Sequence, residues 1–106
     1  MATSTLDTRL IPSIQYTTPL TGGTINVNAG GYVKLLINPA GSLLALTIAL
    51  PAAPSNGDVL ELASSQAITT LTMSGGTIVG PLTAMAIGTF ASYVFSTDAD
   101  EWFRIG

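Results

Sequence analysis

The chain has 106 residues, of which 47% are hydrophobic and only 8% charged, and its mean hydropathy is +0.54. Natively unfolded chains combine low hydrophobicity with high net charge, and this composition is the reverse, so one core-forming domain is expected. The net charge of -3 and the scatter of Arg9, Lys34 and Arg104 along the chain exclude a phosphate-neutralising footprint or a polybasic membrane patch. Cysteine and histidine are both absent, which removes thiolate nucleophiles, disulfides, the usual zinc ligand sets and Ser-His catalysis together. No enzyme, metal or cofactor is therefore expected.

The first segment, Met1 to Pro12, shows no clean alternation and reads as an extended arm ahead of a β domain spanning 13–106. It has no basic region followed by an apolar stretch, so no secretory signal is read. The longest mostly apolar run, Leu43 to Ala53, is shorter than the ~20 residues of a spanning helix. A soluble compartment is expected.

Beyond the arm the sequence is punctuated by Thr, Ser, Gly and Pro, and no stretch keeps apolar residues at helical spacing. Period two recurs instead. Ile25 and Val27 alternate with Thr24, Asn26 and Asn28, and Tyr32 to Ile37 is a more continuous, two-sided apolar run. Leu44, Leu46, Ile48 and Leu50 take every second place, which reads as a strand with one buried face. Val59 to Ala63 follows Asn56-Gly57-Asp58; Leu71 and Met73 alternate with Thr70, Thr72 and Ser74; Thr77 to Val79, Phe90 to Phe95 and Trp102 to Ile105 complete the set.

Gly22-Gly23, Gly30-Gly31 and Gly75-Gly76 read as turns that use positive φ, and Pro39-Ala40-Gly41 as a turn with Pro at its second position. Pro51 and Pro54 cannot continue a ladder, so Pro51 to Gly57 reads as a link between strands in different sheets. About eight short strands with turns every eight to twelve residues predict an all-β fold. The connections are too short for crossover helices, so the expected form is a single antiparallel β-sandwich or jelly-roll-like barrel.

Three groups invite a chemical reading. Asp98, Asp100 and Glu101 have the carboxylates of a calcium site but neither the ligand number nor the loop spacing, and they read as a solvated hairpin turn. Asp58 and Glu61, three apart on a strand, fall on opposite faces and form no acid/base pair. The Gly-Gly pairs match no phosphate-binding pattern. Trp102 and Phe103 are adjacent on the last strand, so one of them leaves the core; that ring is a sugar-stacking platform, an intersubunit contact or simply a strand former.

Ile48-Ala49-Leu50-Pro51-Ala52-Ala53-Pro54-Ser55-Asn56-Gly57-Asp58, Ala67 to Thr72, Ser74-Gly75-Gly76-Thr77-Ile78-Val79-Gly80 and the closing Glu101-Trp102-Phe103-Arg104-Ile105-Gly106 resemble a β module of tailed-bacteriophage structural proteins. There a Leu-Pro strand, a Pro- and Gly-containing loop and a second strand lead to a Gly-rich turn and a terminal aromatic-x-Arg strand. The resemblance covers Leu44 to Gly106. It implies a trimeric fibre, tail-tip or capsid-decorating module, and the shortness of this chain beside long fibre proteins favours a small stand-alone decoration or cement protein.

The expectation is thus a virion structural protein on the capsid surface, made in the host cytoplasm. It would act by binding, as a homotrimer, to the major capsid protein of a phage shell. The alternative is a tail or fibre module that binds a host-surface glycan. Sparse charge offers little protection against edge pairing and association, which suits a subunit better than a free monomer. The expected contact residues are Leu6, Arg9, Leu10 and Ile11 in the arm, with Tyr32 and Trp102 in the β domain.

Overall fold

The computed structural model describes residues 12–106; the arm expected over 1–12 lies outside them except for Pro12. The described residues form nine strands: β1 (Ser13–Thr17), β2 (Gly23–Asn26), β3 (Tyr32–Ile37), β4 (Leu43–Ala49), β5 (Val59–Ser64), β6 (Ile68–Ser74), β7 (Ile78–Val79), β8 (Phe90–Ser96) and β9 (Glu101–Arg104). The all-β expectation holds. The strands build a six-stranded sheet in the order β1-β3-β5-β8-β9-β7 and a three-stranded sheet in the order β2-β4-β6, facing each other across one apolar core.

The antiparallel expectation is corrected. β1 on β3, β3 on β5, β2 on β4 and β4 on β6 are all parallel pairs. Parallel neighbours need a long return path, usually supplied by a helix. Here the chain returns through the opposite sheet: from β1 to β7 each strand of one sheet is followed by a strand of the other, and the pair with its turns makes one coil of a β-solenoid-like stack. Short connections therefore fit a parallel coil as well as a hairpin. The link from Pro51 to Gly57 does join strands of different sheets, β4 and β5.

Coiling places like beside like. Val33 lies beside Leu60, and Leu35 beside Leu62, in the larger sheet; Ile25, Ile48 and Met73 line up across the smaller one. Leu35 and Ile48 are wholly buried, and each such side chain contributes roughly 1.5–3 kcal/mol of transfer free energy. The clean alternation expected for Leu44 to Leu50 breaks at its start. Leu43 is buried and Leu44 is 74% exposed, and at this point the Leu44 and Ala45 amides both donate to the Thr21 hydroxyl. β1, which the sequence reading passed over, contributes polar side chains. Gln15 donates to the Asn26 carbonyl and accepts from the Asn28 amide, tying the first coil together.

The stack stops by reversing direction. β8 runs antiparallel to β5, and Met85 bridges antiparallel to Ile68 on β6. Trp102 and Phe95 pair across β8 and β9 with ring centroids 5.4 Å apart. Tyr93 is fully buried and donates its hydroxyl to the Gly80 carbonyl at 2.9 Å. Burial pushes its pKa above the ordinary phenol value, against smaller opposing effects from the Arg104 charge and a backbone hydrogen bond from Leu82.

Of the three Gly-Gly pairs, only Gly22 and Gly75 have positive φ; Gly30 and Gly31 do not. At Gly75, with φ +91°, an added Cβ would sit 2.9 Å from the Leu50 carbonyl oxygen and 3.0 Å from its nitrogen, whereas at Gly57, φ +87°, nothing lies within 4 Å. Gly75→Ala should therefore cost more stability than Gly57→Ala, which pays only the ~1–2 kcal/mol of left-handed backbone strain; urea unfolding of the two variants checks the order.

A second expectation follows from Tyr93. The folded chain holds the phenol proton more tightly than the unfolded chain, so above about pH 10 the unfolded state binds fewer protons and stability falls as pH rises. Urea midpoints measured on either side of that pH should show a smaller alkaline loss in Tyr93→Phe than in the parent chain.

Candidate interaction surface

The two sheets turn different outer faces to solvent. On the smaller sheet, Thr24, Thr47 and Thr72 form one cross-strand row, and Asn26, Ala49 and Ser74 another. Those rows set small side chains, mostly polar, in ladders, and Leu44 at the start of β4 is the large apolar side chain exposed on this sheet.

The larger sheet is different. Its register sets Tyr16, Leu36, Ala63 and Phe90 in one outward row. A second holds Tyr32, Val59, Val94, Phe103 and Val79. Between them runs the row Ile14, Lys34, Glu61 and Ser92. Alternation fixes the direction of all three, since Val33, Leu35, Ile37, Leu60 and Leu62 between them are buried. Phe90 is 70% exposed and Leu36 38%.

Within the three rows the charges are Lys34 and Glu61, whose Nζ and Oε1 lie 3.7 Å apart. The three rows cross four, four and five strands, and at ~4.8 Å between strands and ~6.7 Å between rows they make a face of about 400 Å². Apolar patches of that size on single chains commonly mark binding sites.

The face has relief. Ala63 is small and sits between Leu36 and Phe90, leaving a hollow of about 300 Å³ bounded by those side chains, Lys34, Glu61 and Ser92. On the other side of Leu36, toward Tyr16, a second, mostly apolar hollow of about 340 Å³ reaches Asn38 and Ser65. Asn38 holds that side in place: its amide donates to the Tyr16 hydroxyl at 2.7 Å, and its carbonyl oxygen accepts from the Ser65 hydroxyl. Tyr16 is thus fixed at the edge of the hollow.

The expected contact residues divide. Leu6, Arg9, Leu10 and Ile11 lie outside the described residues. Tyr32 is half-buried on the outer face. Trp102 is corrected: it is 2% exposed, packed on Phe95, and offers no contact surface. Its neighbour Phe103 faces outward instead, half-buried. The reading of the sequence missed Ile14, Tyr16, Leu36 and Phe90. A signal for Phe90 was available, because it stands out of phase with both Tyr93 and Phe95, and two bulky aromatics on one side of a strand outweigh one in choosing the core side.

Asp98 and Asp100 lie in the turn between β8 and β9, with Glu101 opening β9, and among the described residues no group of three or more carboxylates is placed to hold a metal ion. Asp58 is engaged locally, accepting from the Ser55 amide at 2.8 Å.

Compared with known proteins, the sequence matches no family model and no curated protein.

The Lys34–Glu61 pair has side chains 42% and 34% exposed, and pairs so placed contribute about 0–1 kcal/mol. Lys34→Met should therefore shift the urea-derived unfolding free energy by less than about 1 kcal/mol, leaving the folded domain available for binding measurements.

Proposed function

We propose that the chain is a non-catalytic structural subunit of a tailed-bacteriophage virion, a capsid decoration or cement protein that binds the outer shell. One observation carries the assembly part: on the outer face of the larger sheet Tyr16, Leu36, Ala63 and Phe90 share one row and Tyr32, Val59, Val94, Phe103 and Val79 another, on either side of Lys34 and Glu61. A sheet that faced only water would have no use for Phe90, Leu36 and Tyr16 on its exterior. The phage part rests on the resemblance of Leu44 to Gly106 described above. In this reading the partners are further copies of the chain, forming a homotrimer, and the major capsid protein, and the protein resides on the capsid surface after synthesis in the host cytoplasm. Function lies in the contacts made, so affinity and copy number are its measures.

The test is quantitative mass spectrometry of purified particles of the phage that encodes the chain, with peptide intensities scaled to the major capsid protein. Tens to hundreds of copies per particle are expected. A handful of copies would reassign the chain to a tail or fibre module that recognises a host-surface glycan, and its absence from particles would overturn the virion reading.

A further inference from the structure

We infer that the outer face of the larger sheet is the contact surface for a second copy of this chain, packed sheet against sheet. The inference rests on the reading of the protein as an assembly subunit and names the partner of one surface. Three features of the face point to a copy of itself rather than to an unrelated partner.

Its relief is self-complementary. A contact between copies requires that one surface supply both what projects and what receives. Phe90 projects at 70% exposure, and the hollow over Ala63 lies beside it on the neighbouring strand. Turning one face over onto another brings the Phe90 ring of each copy toward the hollow of the other. Aromatic side chains seated in such hollows are the usual energetic centres of protein contacts.

Its charge is also self-complementary. Lys34 and Glu61 stand side by side in the central row, one of each sign. A second copy therefore brings no net charge against this one. A strongly charged partner such as nucleic acid or an acidic peptide would match one of the two and repel the other.

Its size fits a weak contact between copies. Two faces of about 400 Å² cover about 800 Å² before side-chain relief is counted, the area of weak or transient contacts. Facing sheets pack ≈ 10 Å apart with their strands within about 30° of each other, a geometry open to the outer face as it stands.

The test uses the full chain in sedimentation velocity across a concentration series. A mass of two copies is expected at micromolar concentration. Phe90→Ser should raise the dissociation constant about tenfold or more, and Ala63→Phe, which fills the hollow, should weaken association likewise. Far-ultraviolet circular dichroism and urea midpoints identify any variant that has lost its fold. Lys34→Glu and Glu61→Lys should each weaken association, and the double exchange, which restores one charge of each sign, should recover it.

A chain that stays at 10.8 kDa throughout the series overturns the inference, as does an oligomer indifferent to both Phe90→Ser and Lys34→Glu. So does a monomer that sediments with neutral phosphatidylcholine vesicles, which would assign the face to lipid. Particle copy number is measured separately: a monomer abundant on particles overturns this contact alone, whereas an oligomer absent from particles overturns the virion reading and leaves the contact standing.

Discussion

The molecule depends on aliphatic side chains of successive coils stacking in register between two facing sheets. Val33 beside Leu60 and Leu35 beside Leu62 on one side, with Ile25, Ile48 and Met73 on the other, are the contacts that make parallel pairing possible without helices. A parallel pair has to recover the entropy of closing the loop between its strands. In this chain the loop is itself a strand of the opposite sheet, so its ordering is recovered in the same core. The two sheets therefore stabilise each other, and neither is a stable unit alone. Hydrophobic content near one half in so short a chain is what this mutual burial requires.

Such a stack must end somewhere, because the last coil presents strand edges that would accept another. At the C-terminal side both sheets are closed by reversal: β8 lies antiparallel on β5, and the segment at Thr83 to Met85 lies along β6, with the Leu71 amide donating to Thr83 and reciprocal bonds joining Ile68 and Met85. Beyond β8 the larger sheet continues through β9 to β7, a two-residue edge strand. β1 and β2 are terminal strands of their sheets, and there the polar bridge from Gln15 to Asn26 and Asn28 takes the place of an aliphatic stack. Edges managed by reversal and by side-chain hydrogen bonds are a recurrent defence against unwanted strand addition.

Much of this was legible in the sequence and some was not. Period two marked eight of the nine strands within a residue or two, and the absence of helix followed from Gly, Pro and β-branched residues breaking every helical stripe. Strand direction was not legible, since a two-residue period looks the same in parallel and antiparallel pairs. Nor was the repeat. Ser13 stacks on Val33 and Val33 on Leu60, so the coils differ in length and no fixed period betrays the solenoid. Leu44 escaped its expected place where the Leu44 and Ala45 amides bond the hydroxyl of Thr21, a contact from a distant residue that local alternation does not show. β1 escaped because its residues are polar on one side and aliphatic or aromatic on the outer side, the opposite of what marks a core strand.

That inversion on β1 bears on the whole outer face. A small, hydrophobic chain has more apolar side chains than its core can take, and some exposure would be expected from composition alone. Leu20, Leu44, Ile87 and Ile105 are scattered in that way, whereas Ile14, Tyr16, Leu36, Val79 and Phe90 gather on one sheet. The smaller sheet places Thr24, Thr47 and Thr72 outward in register, so the sequence writes a polar exterior where one is wanted. The larger sheet places Tyr16, Leu36 and Phe90 outward in register around Ala63. β3 shows the same choice within six residues: Val33, Leu35 and Ile37 serve the core, while Tyr32 and Leu36 serve the exterior around Lys34. A strand facing water on one side usually alternates apolar with polar. One that is apolar on both sides has the pattern of a strand between two packed layers, and among the described residues only the layer on the core side is present.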